Sequence, residues 1–105
     1  MRKNENVEEN CFGYALRRLN LDIGGYTDLD EGDIATLFEQ SSPEVADVVL
    51  FRNSYWLCHM AVIDPEERGF VWQRPFVGGK EEHVQLNTLG GLNKLYFKVY
   101  LKVKR

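Results

Sequence analysis

The stretch Glu9-Asn10-Cys11-Phe12-Gly13-Tyr14-Ala15-Leu16 decides the fold, because a helix with a single apolar stripe begins inside it. The residues of that stripe recur at spacings of three and four: Cys11, Ala15, Leu16 and Leu19. This periodicity predicts a helix over residues 11–20. Asn10 is among the best N-cap residues, since its side-chain oxygen can accept a hydrogen bond from the first helical turn. We therefore expect the helix to begin at Cys11.

A cysteine in the first turn of a helix has a distinctive environment. The unpaired N–H groups and the partial positive charge of the helix terminus favour a thiolate over a thiol, and the thiolate is the nucleophilic form. Cys11 is therefore a candidate nucleophile, and the alternative is a thiol that packs as a small apolar side chain. Gly13 costs the helix roughly 1 kcal/mol relative to alanine, which indicates close approach of another backbone or of a substrate.

Length and composition limit the classes of protein. The chain has 105 residues, 44% of them hydrophobic and 28% charged, which is typical of one globular domain over residues 1–105 with a short polar arm at 1–9. A formal net charge of −3 gives no basic field, so we expect no nucleic-acid partner. No stretch is long and apolar enough to span a membrane. The N-terminus has no apolar signal segment, which predicts a cytoplasmic protein as synthesised, delivered by phage or secretion machinery if it acts elsewhere.

The order of elements predicts an α+β domain. A second helix is expected over residues 31–40, with Asp30 as its N-cap. Strand patterns follow at residues 46–52, 56–63, 69–74, 82–86 and 95–103. In the last of these, odd-numbered apolar residues from Leu95 to Val103 should face the core and even-numbered ones, including Tyr96 and Tyr100, should face water. Helices segregated before strands predict N-terminal helices packed on an antiparallel sheet of four to six strands.

Three polar residues complete a candidate catalytic site around Cys11. His59 begins a buried strand, so its imidazole can meet the thiol if the helix N-terminus packs across the strand ends. The imidazole would take the thiol proton and later protonate a leaving amine. Its other nitrogen needs an orienting acceptor, and Gln73 is the polar residue on the next strand. Asn10 and the backbone N–H of Cys11 are candidates for an oxyanion hole.

Other interpretations of the same residues stay open. His59 could be a core histidine satisfied by a backbone carbonyl, and His83 is the rival imidazole. Cys58 should point away from His59, because neighbouring residues of a strand face opposite sides, and it should be an inert packing thiol. A zinc site built from these side chains and Cys11 lacks ligand spacing, so we expect neither metal nor cofactor.

These motifs resemble a known group of enzymes. The run from Asn10 to Ala15 resembles the nucleophile segment of the NlpC-like and CHAP-type cysteine amidases and peptidases, compact relatives of papain. Residues 46–51 resemble their "GD-V-V-F" strand, with Ala where Gly is usual, and residues 59–63 resemble the "H-V-A-I-V" strand that supplies their catalytic histidine. The resemblance spans about residues 9–74. It implies a papain-like fold with a triad of Cys11, His59 and Gln73.

The resemblance also suggests accessory residues and a substrate. Small bacterial and phage proteins with this core are similar at two pairs, Gln73-Arg74 and Glu82-His83, which makes Arg74 and His83 accessory candidates. Gly13, in the nucleophile segment, is a third accessory candidate. Cell-wall members usually carry Ser after the cysteine, where this chain has Phe12. The implied substrate is a peptide, with peptidoglycan stem peptides first. The alternatives are an intracellular protease or deamidase acting on protein, and a catalytically silent binding module.

Overall fold

A computed structural model describes residues 1–4 and 6–105. The strands are β1 (Arg2–Asn4), β2 (Tyr26–Asp28), β3 (Phe38–Gln40), β4 (Val48–Arg52), β5 (Leu57–Ile63), β6 (Phe70–Gln73), β7 (Glu82–Gln85) and β8 (Phe97–Val103). The helices are α1 (Cys11–Arg18), α2 (Glu31–Leu37) and α3 (Gly90–Leu95), and a 3₁₀ turn covers Leu86–Thr88. Six strands form an antiparallel sheet in the order β3-β8-β4-β5-β6-β7, and β1 pairs with β2 separately. The predicted α+β class is confirmed.

The start of α1 follows its local signals. The Asn10 side chain accepts a hydrogen bond from the backbone N–H of Gly13, which confirms the predicted N-cap. A Cβ atom on Gly13 would lie 1.7 Å from the carbonyl oxygen of Gly25, so the predicted close approach is to another backbone. The helix ends at Arg18, two residues earlier than expected.

Short strands form where the sequence predicted the end of the second helix and part of the polar arm. Asp30 caps α2 as predicted, and the cap is part of a capping box with Asp33, but the helix ends at Leu37. Residues 38–40 form β3 because their backbone pairs with β8 while the Phe38 side chain enters the core. Within the predicted polar arm, residues 2–4 form β1. Among the residues described, no helix has both the length and the apolar character needed to cross a membrane.

The sheet has an apolar core on each face. The first core lies under α1 and α2, and its buried members include Phe12, Leu16, Ile34, Val48, Leu50, Met60, Val62 and Leu101. The second core lies on the opposite face, and its buried members are Ala46, Val49, Phe51, Ala61, Ile63 and Val71. Residues 86–96 partly cover the second core. Consecutive residues of β4 and β5 therefore belong to different cores.

This second core corrects the prediction for β8. Val99, Leu101 and Val103 face the first core as expected. Tyr96 and Tyr100 pack against the second core rather than facing water, because the chain after β7 folds over that face. Leu95 belongs to α3 and Phe97 is 54% exposed, so the expected alternation holds only for the second half of the segment.

Candidate active site

His59 and Gln73 meet where the pairing of β5 with β6 ends. Val62 pairs with Trp72, and Ile63 pairs with Val71. Among the described residues, β5 and β6 form no backbone pair between Val62 and His59. Continued in the same register, Pro75 would lie opposite His59, and proline has no N–H for a ladder. Side chains bridge this open end instead. His59 Nε2 lies 2.8 Å from Gln73 Oε1, with the two residues only 5% and 2% exposed.

His59, Gln73 and Glu82 form a hydrogen-bonded polar row across β5, β6 and β7, one strand longer than expected. The side-chain nitrogen of Gln73 donates to a carboxylate oxygen of Glu82 at 3.1 Å. Gln73 and Glu82 are direct partners in the pairing of β6 with β7. In the sequence, Glu82 was noted only as one half of the Glu82-His83 pair, without a role of its own. The signal that could have found it is the strand register, which depends on how the Gly78-Gly79 turn closes.

The Cys11 thiol is partly buried against the backbone of β5. Burial raises the pKa of Cys11 to about 11, and the backbone N–H groups of Met60, Phe12 and Cys11 itself offset this only in part. The expected preference for a thiolate is therefore wrong for the resting protein. Desolvation outweighs the hydrogen bonds and the helix terminus, so the thiol is protonated at neutral pH.

The thiol and the imidazole approach β5 from different sides. Cys11 packs with the first core, and the backbone N–H that contacts its sulfur belongs to Met60, the residue after His59. The His59 side chain points to the face of the second core, where its ring lies 6.0 Å from the Phe51 ring between centroids. Among the described residues, no hydrogen bond joins the two groups. The structure thus places Cys11 beside Met60, the residue after His59. The side chains of Cys11 and His59 are not hydrogen-bonded to each other.

Burial also sets the charge of His59. Desolvation lowers the pKa of His59 below its usual 6.5, and the hydrogen bond with Gln73 acts in the opposite direction to a smaller extent. The imidazole is therefore neutral at pH 7. A neutral imidazole can accept a proton and a neutral thiol can donate one, so the two groups do not form a resting ion pair.

A cleft of about 510 Å³ opens beside the polar row. It is lined by Cys58, His59, Gln73, Pro75, Glu82 and residues 88–92. Cys58 was expected to face away from His59, and this prediction is wrong. The pairing of β4 with β5 shifts register between Phe51 and Arg52, so Cys58 is an extra residue in β5, and the alternation of side chains breaks there.

Asn10 anchors α1 to the neighbouring strand β2. Its side-chain oxygen accepts from the backbone N–H groups of Gly13 and Thr27, both at 3.0 Å, and its nitrogen donates to the Thr27 carbonyl at 2.8 Å. These buried bonds fix the helix start that carries Cys11. The N-cap predicted at Asn10 is part of this network, and the oxyanion role of Asn10 stays a prediction.

His83 faces away from the polar row. It follows Glu82 on β7, so the two side chains lie on opposite faces. His83 Nε2 lies 2.8 Å from an Asp64 carboxylate oxygen, and its ring stacks on Trp72 at 4.2 Å between centroids. Because Trp72 packs with the first core, the structure does not bring His83 to His59.

Arg74 holds the chain before α1 rather than the polar row. Its guanidinium forms an ion pair with Glu9 at 3.4 Å and donates to the carbonyl of Gly79. The group also lies 5.6 Å from the centre of the Tyr14 ring. Arg74 therefore ties the turn after β6 to the segment that leads into Cys11.

Comparisons of the chain with models of protein families, with curated proteins and with solved structures found no match. The likeness to NlpC-like and CHAP-type enzymes thus depends on the sequence segments quoted above. Within residues 1–4 and 6–105, no three His, Cys, Asp or Glu side chains lie close enough together to hold a metal ion.

Proposed function

We propose that this chain is a thiol hydrolase with a papain-like fold that cleaves an amide or peptide bond. Cys11 is the nucleophile, His59 the general base and acid, and Gln73 the orienting group. One observation carries the proposal. The buried His59–Gln73 hydrogen bond of 2.8 Å lies one residue from the Met60 N–H that contacts the Cys11 sulfur. In resting enzymes the contact between nucleophile and base is often long and tightens only with substrate.

The neutral resting state determines the order of proton transfer. His59 takes the thiol proton while the Cys11 sulfur bonds to the substrate carbonyl carbon, and the Cys11 backbone N–H donates to the developing oxyanion. His59 then gives the proton to the leaving amine as the C–N bond breaks, which leaves a thioester on Cys11. Water attacks the thioester with His59 again as the base, and the acid product and the thiol are released.

The substrate in this proposal is a peptide. The cleft volume of about 510 Å³ falls in the range that accommodates small ligands. His59 and Gln73 line this cleft and Cys11 does not, so a substrate must extend beyond it to reach the thiol. The resemblance of residues 9–74 favours peptidoglycan stem peptides as the first candidate. An intracellular protein acted on by a protease or deamidase is the alternative within the same chemistry.

A catalytically silent binding module is the second candidate. Two observations favour it: the described residues show no hydrogen bond between thiol and imidazole, and the pKa of Cys11 is raised to about 11. Such a module would use the cleft to hold a peptide without cleaving it.

Hydrolysis of synthetic stem peptides and of a denatured protein, followed by mass spectrometry, tests the proposal. Cys11→Ser and His59→Ala should each lower turnover at least about 1,000-fold, and the double variant should be little worse, because such residues act as a unit. His83→Ala is the matched imidazole control and should keep turnover. Peptide binding without cleavage, equal in the wild type and Cys11→Ser, would establish the binding module instead.

A further inference from the structure

The Gln73 amide could in principle turn either of its ends toward His59. Its oxygen and nitrogen are nearly equal in size, so the hydrogen-bond network decides which end faces the ring. An ionised carboxylate can only accept hydrogen bonds. Because Glu82 accepts from the Gln73 nitrogen at 3.1 Å, the Gln73 oxygen is the end that faces His59 Nε2 at 2.8 Å.

This orientation fixes the proton on the imidazole. A nitrogen that faces an amide oxygen must carry hydrogen, so Nε2 of neutral His59 is protonated and Nδ1 keeps its lone pair. We propose that Glu82 is a positioning residue that holds His59 in the Nε2–H tautomer through the Gln73 amide. The inference rests on the proposed function in one respect: Nδ1 is the nitrogen that would take the Cys11 proton.

The surroundings of the row leave the amide few other partners. Gln73 is 2% exposed, so water cannot readily replace a lost hydrogen bond, and the β6–β7 register holds Glu82 directly across from it. Without the carboxylate, the amide could turn over and donate to Nε2, and the ring proton would then sit on Nδ1. In that tautomer Nδ1 carries the proton and the lone pair of Nε2 is taken by the Gln73 amide, so neither nitrogen can accept a proton from a thiol.

The test is ¹⁵N NMR of the histidine rings at about pH 7.5 in the wild type and in Glu82→Gln. The wild type should show His59 as the Nε2–H tautomer. In Glu82→Gln a neutral amide can donate as well as accept, so we expect a mixture or a change to Nδ1–H. Glu81→Gln is the matched control, because Glu81 accepts from the Tyr14 hydroxyl at 2.6 Å instead, and it should leave the His59 signals unchanged.

A second variant separates positioning from charge. Glu82→Asp keeps a carboxylate acceptor and should recover part of the Nε2–H signal. The inference is overturned if His59 is Nδ1–H in the wild type, or if it stays wholly Nε2–H in Glu82→Gln.

The tautomer can be read whether or not the protein turns over a substrate. If turnover is found, Glu82→Gln should lower kcat about tenfold with little change in KM. A tautomer change in a protein with no turnover would uphold the role of Glu82 and refute the proposed hydrolase. Turnover together with an unchanged tautomer in Glu82→Gln would uphold the proposed hydrolase and refute the role of Glu82.

Discussion

Replacing Gly13 by alanine should destabilise the protein through a clash between two backbones. The new Cβ atom would lie 1.7 Å from the Gly25 carbonyl oxygen and 2.9 Å from its carbon. Restoring an ordinary contact of 3.4 Å requires α1 and the Gly25 turn to separate by about 1.7 Å. Neither atom belongs to a flexible side chain, so the strain must spread to the bonds between Asn10 and Thr27.

The expected magnitude follows from two opposing terms. Overpacking costs about 1–3 kcal/mol, and the rigid backbone places this site at the upper end. Removing a glycine from a helix returns about 0.5–1 kcal/mol. The net loss in the free energy of unfolding is about 2 kcal/mol, or a fall in Tm on the order of 10 °C for a chain of this size.

Urea and thermal denaturation of Gly13→Ala measure this loss. Gly91→Ala is the matched control, since Gly91 is also helical and nothing lies within 4 Å of a Cβ added there. The control should be neutral or slightly stabilising. A Gly13→Ala variant within about 0.5 kcal/mol of the wild type would refute the close contact between α1 and the Gly25 turn.

Three further predictions follow from the site. At pH 7, iodoacetamide should modify Cys11 about 100-fold more slowly than a thiol of ordinary pKa, because burial raises its pKa to about 11, and the rate should grow tenfold per pH unit; a plateau below pH 9 would contradict this. The free energy of unfolding should fall as pH drops below about 6.5, since burial lowers the pKa of folded His59 and the unfolded chain binds the proton first. His59→Gln should show a smaller fall in urea titrations between pH 7.5 and 5, and an equal fall would exclude this source. Asn10→Ala should lower the free energy of unfolding by about 2–3 kcal/mol, and Tm with it, because it removes a helix cap and leaves Thr27 backbone groups unpaired. A decrease of less than about 0.5 kcal/mol in thermal denaturation would exclude the anchoring role of Asn10.

Local chemical signals were readable in the sequence. The caps Asn10 and Asp30 act within three residues of themselves, so no knowledge of the tertiary fold is needed to recognise them. The apolar runs of β4 and β5 are long enough to identify buried strands. The meeting of His59 with Gln73 required only that consecutive strands be neighbours, which is the commonest arrangement.

Features that depend on register or on distant chain segments were not readable. The extra residue at Cys58 is invisible in a run of apolar residues, because any of them could be the one left unpaired. Tyr96 and Tyr100 resemble an exposed face, because the sequence does not show that they pack against the second core together with Leu86, Leu89 and Leu92. The partner of the Gln73 amide, Glu82, is found only when the pairing of β6 with β7 is known.

The charge of Cys11 was mispredicted for a related reason. The helix start that favours a thiolate is a local property, and it is present. Desolvation depends on what the rest of the chain places over the sulfur, and it is the larger effect here. A sequence pattern identifies the cysteine and its helix, but only the packing sets its protonation.

Because β4 is buried on both faces, it should tolerate no insertion or deletion of a single residue. Val48 and Leu50 belong to one core while Val49 and Phe51 belong to the other. Deleting a single codon in this strand would exchange the two sets of side chains across the sheet, so both cores would be disrupted at once. Length variation among descendants of this sequence should therefore be confined to the turns, and compensating substitutions should link residues two apart rather than immediate neighbours.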